Sequence, residues 1–375
     1  MNQIITKRIQ IGSRHVTTPL LWLGHDLKTR IRVWSQVRGC PGIVVNAHQV
    51  LSKRRFYVSA CEHGLHAHLG YDGPLFLDSG GYQSQQTGRA LIRVQELMAV
   101  QVKLRPDVGA VLDLPLDPLV STRENARRWR RTLDNTAWML RQKDRPLLAL
   151  IVHSYNIQHA ERRCLQLKAL NEEPEVVCIG SLVPLLRGRA LELGGSEEGH
   201  KTGLHHDWRY IARLISVVRT QFPRAMIHVF GAGTMASMFL LFLLGIDSVD
   251  SVAWRLKAAY GAIRLPGLAD RYATDFGHTR TRRRLTSICN RLLRTCVCTV
   301  CEGLPLSRRV AKLAASFEAR AVHNAQVFID ELNEFRLSAR QRTHLDFVRH
   351  RLADNPLYLG IFNRTILPIL SGGDA

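Results

Sequence analysis

Short apolar runs that end in Gly, Asp or His recur along this chain, and charged or amphipathic stretches of helical length separate them. Continuous apolar strands alternating with helices are typical of a parallel sheet that is covered on both faces. Helix candidates between the runs include RALIRVQELMAVQVKL and HHDWRYIARLISVVRTQF. The predicted strands are GIVVNAH (42–48), PLFLDSGG (74–81), GAVLDLP (109–115), LLALIVHS (147–154), VVCIGSL (176–182), MIHVFGAG (226–233) and GIDSVDS (245–251).

Seven or eight such strand and helix units in about 270 residues favour a closed (β/α)8 TIM barrel, an α/β fold, over an open doubly wound sheet. The active site of such a barrel lies at the C-terminal ends of its strands. Polar or small residues end most of the apolar runs, so we expect them to meet at one mouth. They are Asp78, Asp113, His153, Gly180 with Ser181, His228 and Asp250.

The pattern changes near residue 278, where HTRTRRRLTSICNRLLRTCVCTVC begins. We therefore expect three parts. Residues 1–277 form the catalytic barrel, 278–330 form a small zinc-binding subdomain, and 331–375 form a helical segment that packs on the barrel.

Three cysteines of this segment are closely spaced as C-x-C-x2-C, at Cys296, Cys298 and Cys301, and His323 follows 22 positions later. Three thiolates and one imidazole suit tetrahedral zinc, and a site ligated only by protein is structural. The alternatives are three unliganded buried cysteines and a histidine that serves only as a surface or core residue of a helix. The remaining cysteines read as small apolar residues; they are Cys40, Cys61, Cys164, Cys178 and Cys289.

The net charge of +21 and the pI near 10.3 indicate a polyanionic partner, of which nucleic acid is the leading candidate. A basic surface without a specific partner is the alternative. Two dense basic clusters are candidates for phosphate contacts, although such runs are commonly solvated faces. They are Arg127, Arg128, Arg130 and Arg131 in one segment, and Arg280, Arg282, Arg283 and Arg284 in the other.

The longest apolar stretch, MASMFLLFLLGI at 235–246, is shorter than the ~20 residues that cross a bilayer, and we expect a buried helix there instead. The N-terminus lacks the apolar core of a secretory signal, so we expect a cytoplasmic protein that does not use a membrane. Neither G-x-G-x-x-G nor G-x-x-x-x-G-K-[ST] occurs, so we expect no ATP or other nucleotide cofactor.

Five motifs in order resemble the tRNA-guanine transglycosylase superfamily over roughly residues 40–330. They are DSGGYQ (78–83), IGSLVPLL (179–186), HVFGAG (228–233), GIDSVDS (245–251) and the cysteine cluster with its later histidine. The resemblance implies a zinc-containing (β/α)8 barrel that exchanges a guanine in a polynucleotide for a 7-deazaguanine without ATP. It also implies that Asp250 is the nucleophile at C1′ and that Asp78 is the general acid/base. Asp250 taken alone would read as a helix cap, and Asp247 is its competitor.

The same resemblance implies the residues that bind the base. Asp113 would accept hydrogen bonds from the guanine edge, and Gly180, Ser181 and Leu182 would direct backbone N–H groups at the base carbonyl. From the DSGGYQ motif, Ser79, Gly80, Gly81, Tyr82 and Gln83 are expected at the base, where the glycines allow close backbone approach and Tyr82 either shelters the base or packs in the core. His153 stands where tRNA enzymes commonly carry glutamine.

The sequence favours DNA as the polynucleotide, by elimination. DSVAWRLKAAYG follows where bacterial tRNA enzymes have a Pro-Thr-Arg type segment, and the chain ends about 50 residues after His323, where archaeal enzymes carry further RNA-binding domains. We therefore expect a DNA-guanine transglycosylase that uses a free 7-deazaguanine (preQ0-like) base, with a homodimer and a DNA-opening partner protein as further expectations. The alternatives are a tRNA-guanine transglycosylase of the queuosine or archaeosine type, a non-catalytic nucleic-acid-binding partner subunit, and a zinc hydrolase.

Overall fold

The computed structural model describes residues 6–29, 31–83, 91–186, 204–273 and 283–372. Its strands are β1 Arg8–Ile11, β2 Arg14–Thr17, β3 Leu20–His25, β4 Ile43–Asn46, β5 Leu75–Asp78, β6 Val108–Ala110, β7 Leu147–His153, β8 Val176–Gly180, β9 Met226–Val229, β10 Ser248–Ser251, β11 Ala262–Ile263 and β12 Arg271–Tyr272.

The helices alternate with these strands and then continue alone toward the C-terminus. They are α1 Ala47–Leu51, α2 Arg54–His63, α3 Leu65–Leu69, α4 Val94–Leu104, α5 Thr122–Leu140, α6 Ile157–Leu170, α7 Val183–Leu186, α8 Leu204–Gln221, α9 Met235–Leu243, α10 Ala253–Ala259, α11 Ser287–Thr295, α12 Leu306–Ala315, α13 Phe317–Arg340, α14 His344–Leu352, α15 Pro356–Ile361 and α16 Leu367–Leu370. A 3-10 turn at Val33–Ser35 and a π-helical turn at Phe362–Ile366 complete the list.

Eight parallel strands, β3 to β10 in chain order, form a closed barrel, which confirms the predicted (β/α)8 fold. The closing pair joins β10 to β3, with Ser248 opposite Leu20 and Asp250 opposite Trp22. All six residues of β3 are buried, so this strand has the same apolar signature as the others. Strand β3 is the eighth barrel strand, which is not among the seven predicted strands. The hairpin of β1 and β2 precedes it.

Strand β6 is shorter than predicted, because its ladder covers only Val108–Ala110. The chain beyond it stays mostly buried. The N–H of Val111 donates to Ala149 O (3.1 Å), and that of Leu114 donates to Thr132 Oγ1 (2.9 Å) on α5. Asp113 therefore lies beyond the strand proper, held between the barrel and α5.

The apolar stretch after residue 234 forms helix α9, as predicted, and eight of its nine residues are buried. Phe239 stacks on Phe335 of α13 (centroids 5.6 Å apart) and meets Phe347 of α14 edge to face (5.5 Å). Burying an aromatic side chain of this size stabilises a fold by about 2 to 3 kcal/mol. This aromatic contact attaches the C-terminal helices to the barrel.

Helix α13 runs through residue 330, which the sequence pattern suggests as a boundary between the zinc-binding and C-terminal parts. Asn324 of this helix is fully buried and hydrogen-bonds to the segment that follows the last barrel strand. Its Oδ1 accepts from the N–H of Arg264 (2.7 Å), and its Nδ2 donates to the carbonyls of Trp254 and Ala262 (both 3.1 Å). One helix thus serves both parts and fastens them to the barrel.

Within the described ranges, no helix combines the length and the apolar character needed to cross a bilayer.

The hydrogen bonds of Asn324 lead to a stability prediction. Replacing Asn324 with Leu keeps the approximate volume but leaves the N–H of Arg264 without this acceptor and removes the amide donor to two carbonyls, so we expect a loss of about 3 kcal/mol in the free energy of unfolding. Urea denaturation measures it. Asn333→Ala, at an exposed position of the same helix, is the matched control and should change stability by less than about 0.5 kcal/mol. Equal losses of stability in both variants would contradict this role of Asn324.

Candidate active site and metal centre

Asp78, the expected acid/base, is the last residue of β5 and is held by the neighbouring strand. Asn46 ends β4 directly opposite, and its Nδ2 donates to Asp78 Oδ2 (2.7 Å). The N–H of Gly80 reaches the same oxygen at 3.3 Å. Burial, followed by the negative charges of Asp113 and Asp250, raises the pKa of Asp78 to about 7, although these hydrogen bonds oppose the shift. Asp78 is thus suited to exchange protons near neutral pH.

Asp250, the expected nucleophile, lies on β10 with its side chain 16% exposed. Its Oδ1 accepts a hydrogen bond from the N–H of Gly231 (2.6 Å), in the turn that follows β9. The imidazole Nε2 of His228 lies 3.5 Å from the same oxygen. Its competitor Asp247 lies just before the start of β10, where it pairs with Arg219 and accepts the N–H of Ile227 (2.8 Å). That position is at the opposite end of the strand from the mouth.

Asp113, the expected base-binding carboxylate, belongs to a buried polar chain. Ser79 Oγ donates to its Oδ1 (2.6 Å), and His153 Nε2 lies 3.0 Å from its Oδ2. On its other side, His153 Nδ1 contacts Ser181 Oγ (2.9 Å), which also accepts the N–H of Leu116 (2.8 Å). The chain fixes the plane of the Asp113 carboxylate, as recognition of a flat base edge requires.

Two glycines are explained by this chain of contacts as well as by ligand approach. A Cβ on Gly81 would lie 2.5 Å from Asp113 Oδ1, and one on Gly180 would lie 2.4 Å from the His153 ring. Gly80 has φ +91°, in the region that favours glycine. Any side chain at Gly81 or Gly180 would therefore displace the carboxylate or the imidazole.

The other expected base-binding residues differ in how much surface they offer. Tyr82 is 48% exposed, whereas the side chains of His153 and Leu182 are fully buried. Gln83 accepts from Asn46 Nδ2 through its Oε1 (3.1 Å). The buried imidazole of His153 can therefore act on a ligand only through Asp113, and Leu182 can present only backbone groups to a ligand.

The contacts add Asn46 to the expected site residues, and they give His228, expected only at the mouth, a contact with Asp250. Asn46 ends the run GIVVN, and the same strand-end rule could have identified it. His228 is at a strand end in the sequence pattern, but its contact with Asp250 requires the register of β9 and β10 to be known.

The two arginine clusters are only partly available to a partner. Arg127 pairs with Glu124 (2.7 Å), and Arg128 is buried and donates to Pro115 O (3.0 Å), which leaves Arg130 and Arg131 exposed. In the second cluster, Arg283 pairs with Asp354 (3.0 Å) and Arg284 is exposed. Arg280 and Arg282 lie outside the described residues. Two of the four arginines of the first cluster, Arg127 and Arg128, thus make contacts within the protein.

The four predicted metal ligands form one cluster whose ligand atoms all lie within 4.8 Å of one another. His323 Nδ1 is 3.6, 3.4 and 3.7 Å from the Sγ atoms of Cys296, Cys298 and Cys301. Tetrahedral zinc with ordinary Zn–S and Zn–N bonds separates such atoms by about 3.6 Å. His323 Nε2 lies 2.9 Å from the carbonyl of Arg264, a hydrogen bond that directs the Nδ1 lone pair at the thiolates. The donor set therefore fits structural zinc.

The metal centre predicts a selective effect of cysteine substitution. Cys298→Ser should abolish the binding of one zinc per chain and lower Tm by more than about 5 °C, because metal binding contributes directly to folding. Cys289→Ser, also buried but outside the cluster, should keep the zinc. Elemental analysis and thermal unfolding measure both, and equal zinc content in the two variants would contradict the assignment.

The raised pKa of Asp78 predicts a pH-dependent stability. The folded state binds this proton more tightly than the unfolded state, so stability falls as pH rises from about 4 to about 7 and stays lower above that. The side chain of Asp78→Asn cannot ionise. Because the site is partly open to solvent, we expect this variant to be more stable than the wild type by only about 2 kcal/mol at pH 8, and equally stable near pH 4. Urea denaturation at both pH values tests it, with exposed Asp72→Asn as the control; a difference independent of pH would refute it.

Comparison with known proteins supports the family resemblance that the sequence motifs indicate. Residues 8–356 match the family model described as queuine tRNA-ribosyltransferase. Among curated proteins, the tRNA-guanine(15) transglycosylase of Methanopyrus kandleri is 26% identical over 290 residues, which cover 76% of this chain and 56% of that protein. The enzymes of the same name from Methanosarcina mazei and Pyrococcus furiosus are 27% and 23% identical, and the matches cover 86% and 96% of this chain.

The chain spans little more than half the length of these relatives, between 56% and 59%. The family match, in contrast, includes all eight barrel strands, both aspartates and the four metal ligands. On this match, the chain belongs to the queuine tRNA-ribosyltransferase family.

Proposed function

We propose that this protein is a guanine transglycosylase, a glycosyltransferase that exchanges a guanine within a polynucleotide for a free base. The observation that carries the proposal is the pairing of two unequal carboxyl groups at one mouth. Asp78 is a proton carrier with a pKa of about 7, and its pKa responds to the charge of Asp250. Asp250 has one oxygen held by Gly231. A displacement at C1′ with proton transfer to the departing base needs these two roles.

In the first half of the reaction, Asp250 Oδ2 attacks C1′ of the nucleotide. The C1′–N9 bond breaks, its electron pair goes to the guanine, and the protonated carboxyl of Asp78 supplies a proton to that base. A glycosyl ester on Asp250 results, as in retaining glycosidases.

In the second half, the incoming base gives its N9 proton to the Asp78 carboxylate and attacks C1′ through N9. The C1′–Oδ2 bond breaks, and its electron pair returns to Asp250. Asp78 ends protonated, as it began, so the exchange is balanced and consumes no ATP.

The base would be held at its edge by Asp113, with the fixed carboxylate plane that Ser79 and His153 provide. A carboxylate accepts well from the adjacent N1–H and exocyclic NH2 of guanine and of 7-deazaguanines. The family resemblance supports a 7-deazaguanine as the incoming base.

For the polynucleotide, the comparisons favour tRNA over the DNA that the sequence leads us to expect. The matched relatives are named tRNA-guanine(15) transglycosylases, and the family description also names tRNA. We therefore propose tRNA as the substrate and keep DNA as an outcome of the assay. The presence of both Asp78 and Asp250 supports an enzyme over a non-catalytic partner subunit.

Guanine exchange tests the proposal directly. Labelled guanine should enter bulk tRNA with the wild type, and Asp250→Ala should lower incorporation at least about 10³-fold because no nucleophile remains. Asp247→Asn, at the other end of the same strand, should retain exchange in the protein that remains folded. Entry of label into plasmid DNA alone would replace tRNA with DNA in the proposal.

A covalent adduct provides the second readout. Denaturing the reaction should trap a polynucleotide adduct with the wild type and none with Asp250→Ala. Adduct and exchange that persist in Asp250→Ala would exclude this nucleophile, and their absence in the wild type with both polymers would refute the proposed activity.

A further inference from the structure

A fully buried histidine, His228 of β9, lies directly behind Asp250. Its Nε2 is 3.5 Å from Asp250 Oδ1 and has no hydrogen-bond partner of normal geometry among the described residues. Its Nδ1 is 2.9 Å from Ser248 Oγ, and Ser248 is also fully buried. A buried donor without a partner costs about 1 to 3 kcal/mol, so its retention next to a reactive carboxylate points to a role.

The contacts of the ring favour the tautomer that carries its proton on Nε2. If the Ser248 hydroxyl donates to Nδ1, the ring proton is on Nε2 and faces the Asp250 carboxylate. The opposite tautomer would direct the Nε2 lone pair at a carboxylate oxygen, which is repulsive. Ser248 is opposite His228 in the pairing of β9 with β10, so the backbone register maintains this contact.

Aromatic rings hold the imidazole in place. His228 lies 4.6 Å from Phe230 in a nearly perpendicular arrangement and 5.4 Å from Phe76 (centroid distances). Together with the complete burial of His228, these rings exclude water from the contact with Asp250. A charge–dipole interaction in such a dry site is stronger than one in solvent.

We propose that His228, oriented by Ser248, is a positioning residue for Asp250. It acts with the Gly231 N–H on Oδ1, so that Oδ2 is the oxygen presented to C1′. This inference rests on the proposed transglycosylase function and deepens it. Oδ1 becomes the ester carbonyl when Oδ2 bonds to C1′, and both donors stabilise the carboxylate again when that bond breaks.

The 3.5 Å separation is long for a hydrogen bond, and catalytic contacts often shorten only in the reacting complex. Orientation of Oδ2 acts in the attack step, and stabilisation of the returning negative charge acts when the C1′–Oδ2 bond breaks, so we expect the benefit in these two steps and not in substrate binding. An interaction made only there changes kcat and leaves KM nearly unaltered.

The test measures guanine exchange into bulk tRNA, and into plasmid DNA in parallel, with His228→Leu, His228→Gln and Ser248→Ala. We expect kcat to fall roughly 10²-fold in His228→Leu with KM within about twofold, as for loss of one preorganised donor. His228→Gln retains an N–H donor and should recover about a tenth or more of wild-type kcat. Ser248→Ala should lower kcat about tenfold, because the tautomer is no longer selected.

His66→Gln is the matched control. His66 also pairs with an aspartate, through Nε2 to Asp107 Oδ2 at 3.1 Å, but that pair lies at the start of β6, on the opposite end of the barrel. We expect it to lower Tm without changing kcat of the folded enzyme. The rate of adduct formation in a single turnover should follow kcat across the His228 and Ser248 variants.

The outcomes separate this inference from the function it rests on. If the wild type exchanges guanine and the folded His228→Leu keeps kcat within twofold, His228 has no positioning role. If His228→Leu does not fold, unchanged kcat in both His228→Gln and Ser248→Ala overturns the inference instead. A wild type that neither exchanges guanine nor forms an adduct refutes the transglycosylase, whatever the variants do.

Discussion

The pairing of β10 with β3 is the interaction on which the rest of this structure depends. The N–H of Leu20 donates to the carbonyl of Asp247 (2.8 Å), and the two strands then continue in parallel register. Because this pair closes the sheet into a barrel, the strand ends form a ring instead of a line. Asp250 on β10 is thereby brought within electrostatic range of Asp78 on β5.

Carboxylates that are crowded in this way repel one another, and the structure manages the repulsion unequally. Ser79 and His153 contact the Asp113 carboxylate, and the Gly231 N–H and His228 contact the Asp250 carboxylate. Asp78 accepts from Asn46 and from the N–H of Gly80, and burial with the nearby negative charges raises its pKa to about 7, so it is suited to hold a proton at this mouth. Separate environments for like groups are a general means of assigning acid, base and nucleophile roles.

The cluster of candidate metal ligands is linked to the segment that follows the barrel through a single residue, Arg264. Two adjacent side chains of α13 hold the backbone of Arg264, His323 at its carbonyl and Asn324 at its N–H. Arg264 follows β11, which comes soon after the strand and helix that carry Asp250 and Trp254. A structural metal bound by the four ligands would orient His323 and so would also stabilise the segment behind the expected nucleophile.

The sequence by itself determined the barrel, because burial on both faces of a parallel strand leaves an unmistakable apolar run. It also indicated the ring of strand-end residues and the four candidate metal ligands, because strand direction and the spacing of the cysteines can be read directly from the sequence. It did not show that β3 is the eighth strand, that Asn46 contacts Asp78, or that His153 is buried behind Asp113. Those contacts join residues on different strands, and the pairing register and the closure of the barrel decide them. The raised pKa of Asp78 belongs to the same class, because it depends on burial and on charges from elements far apart in the chain.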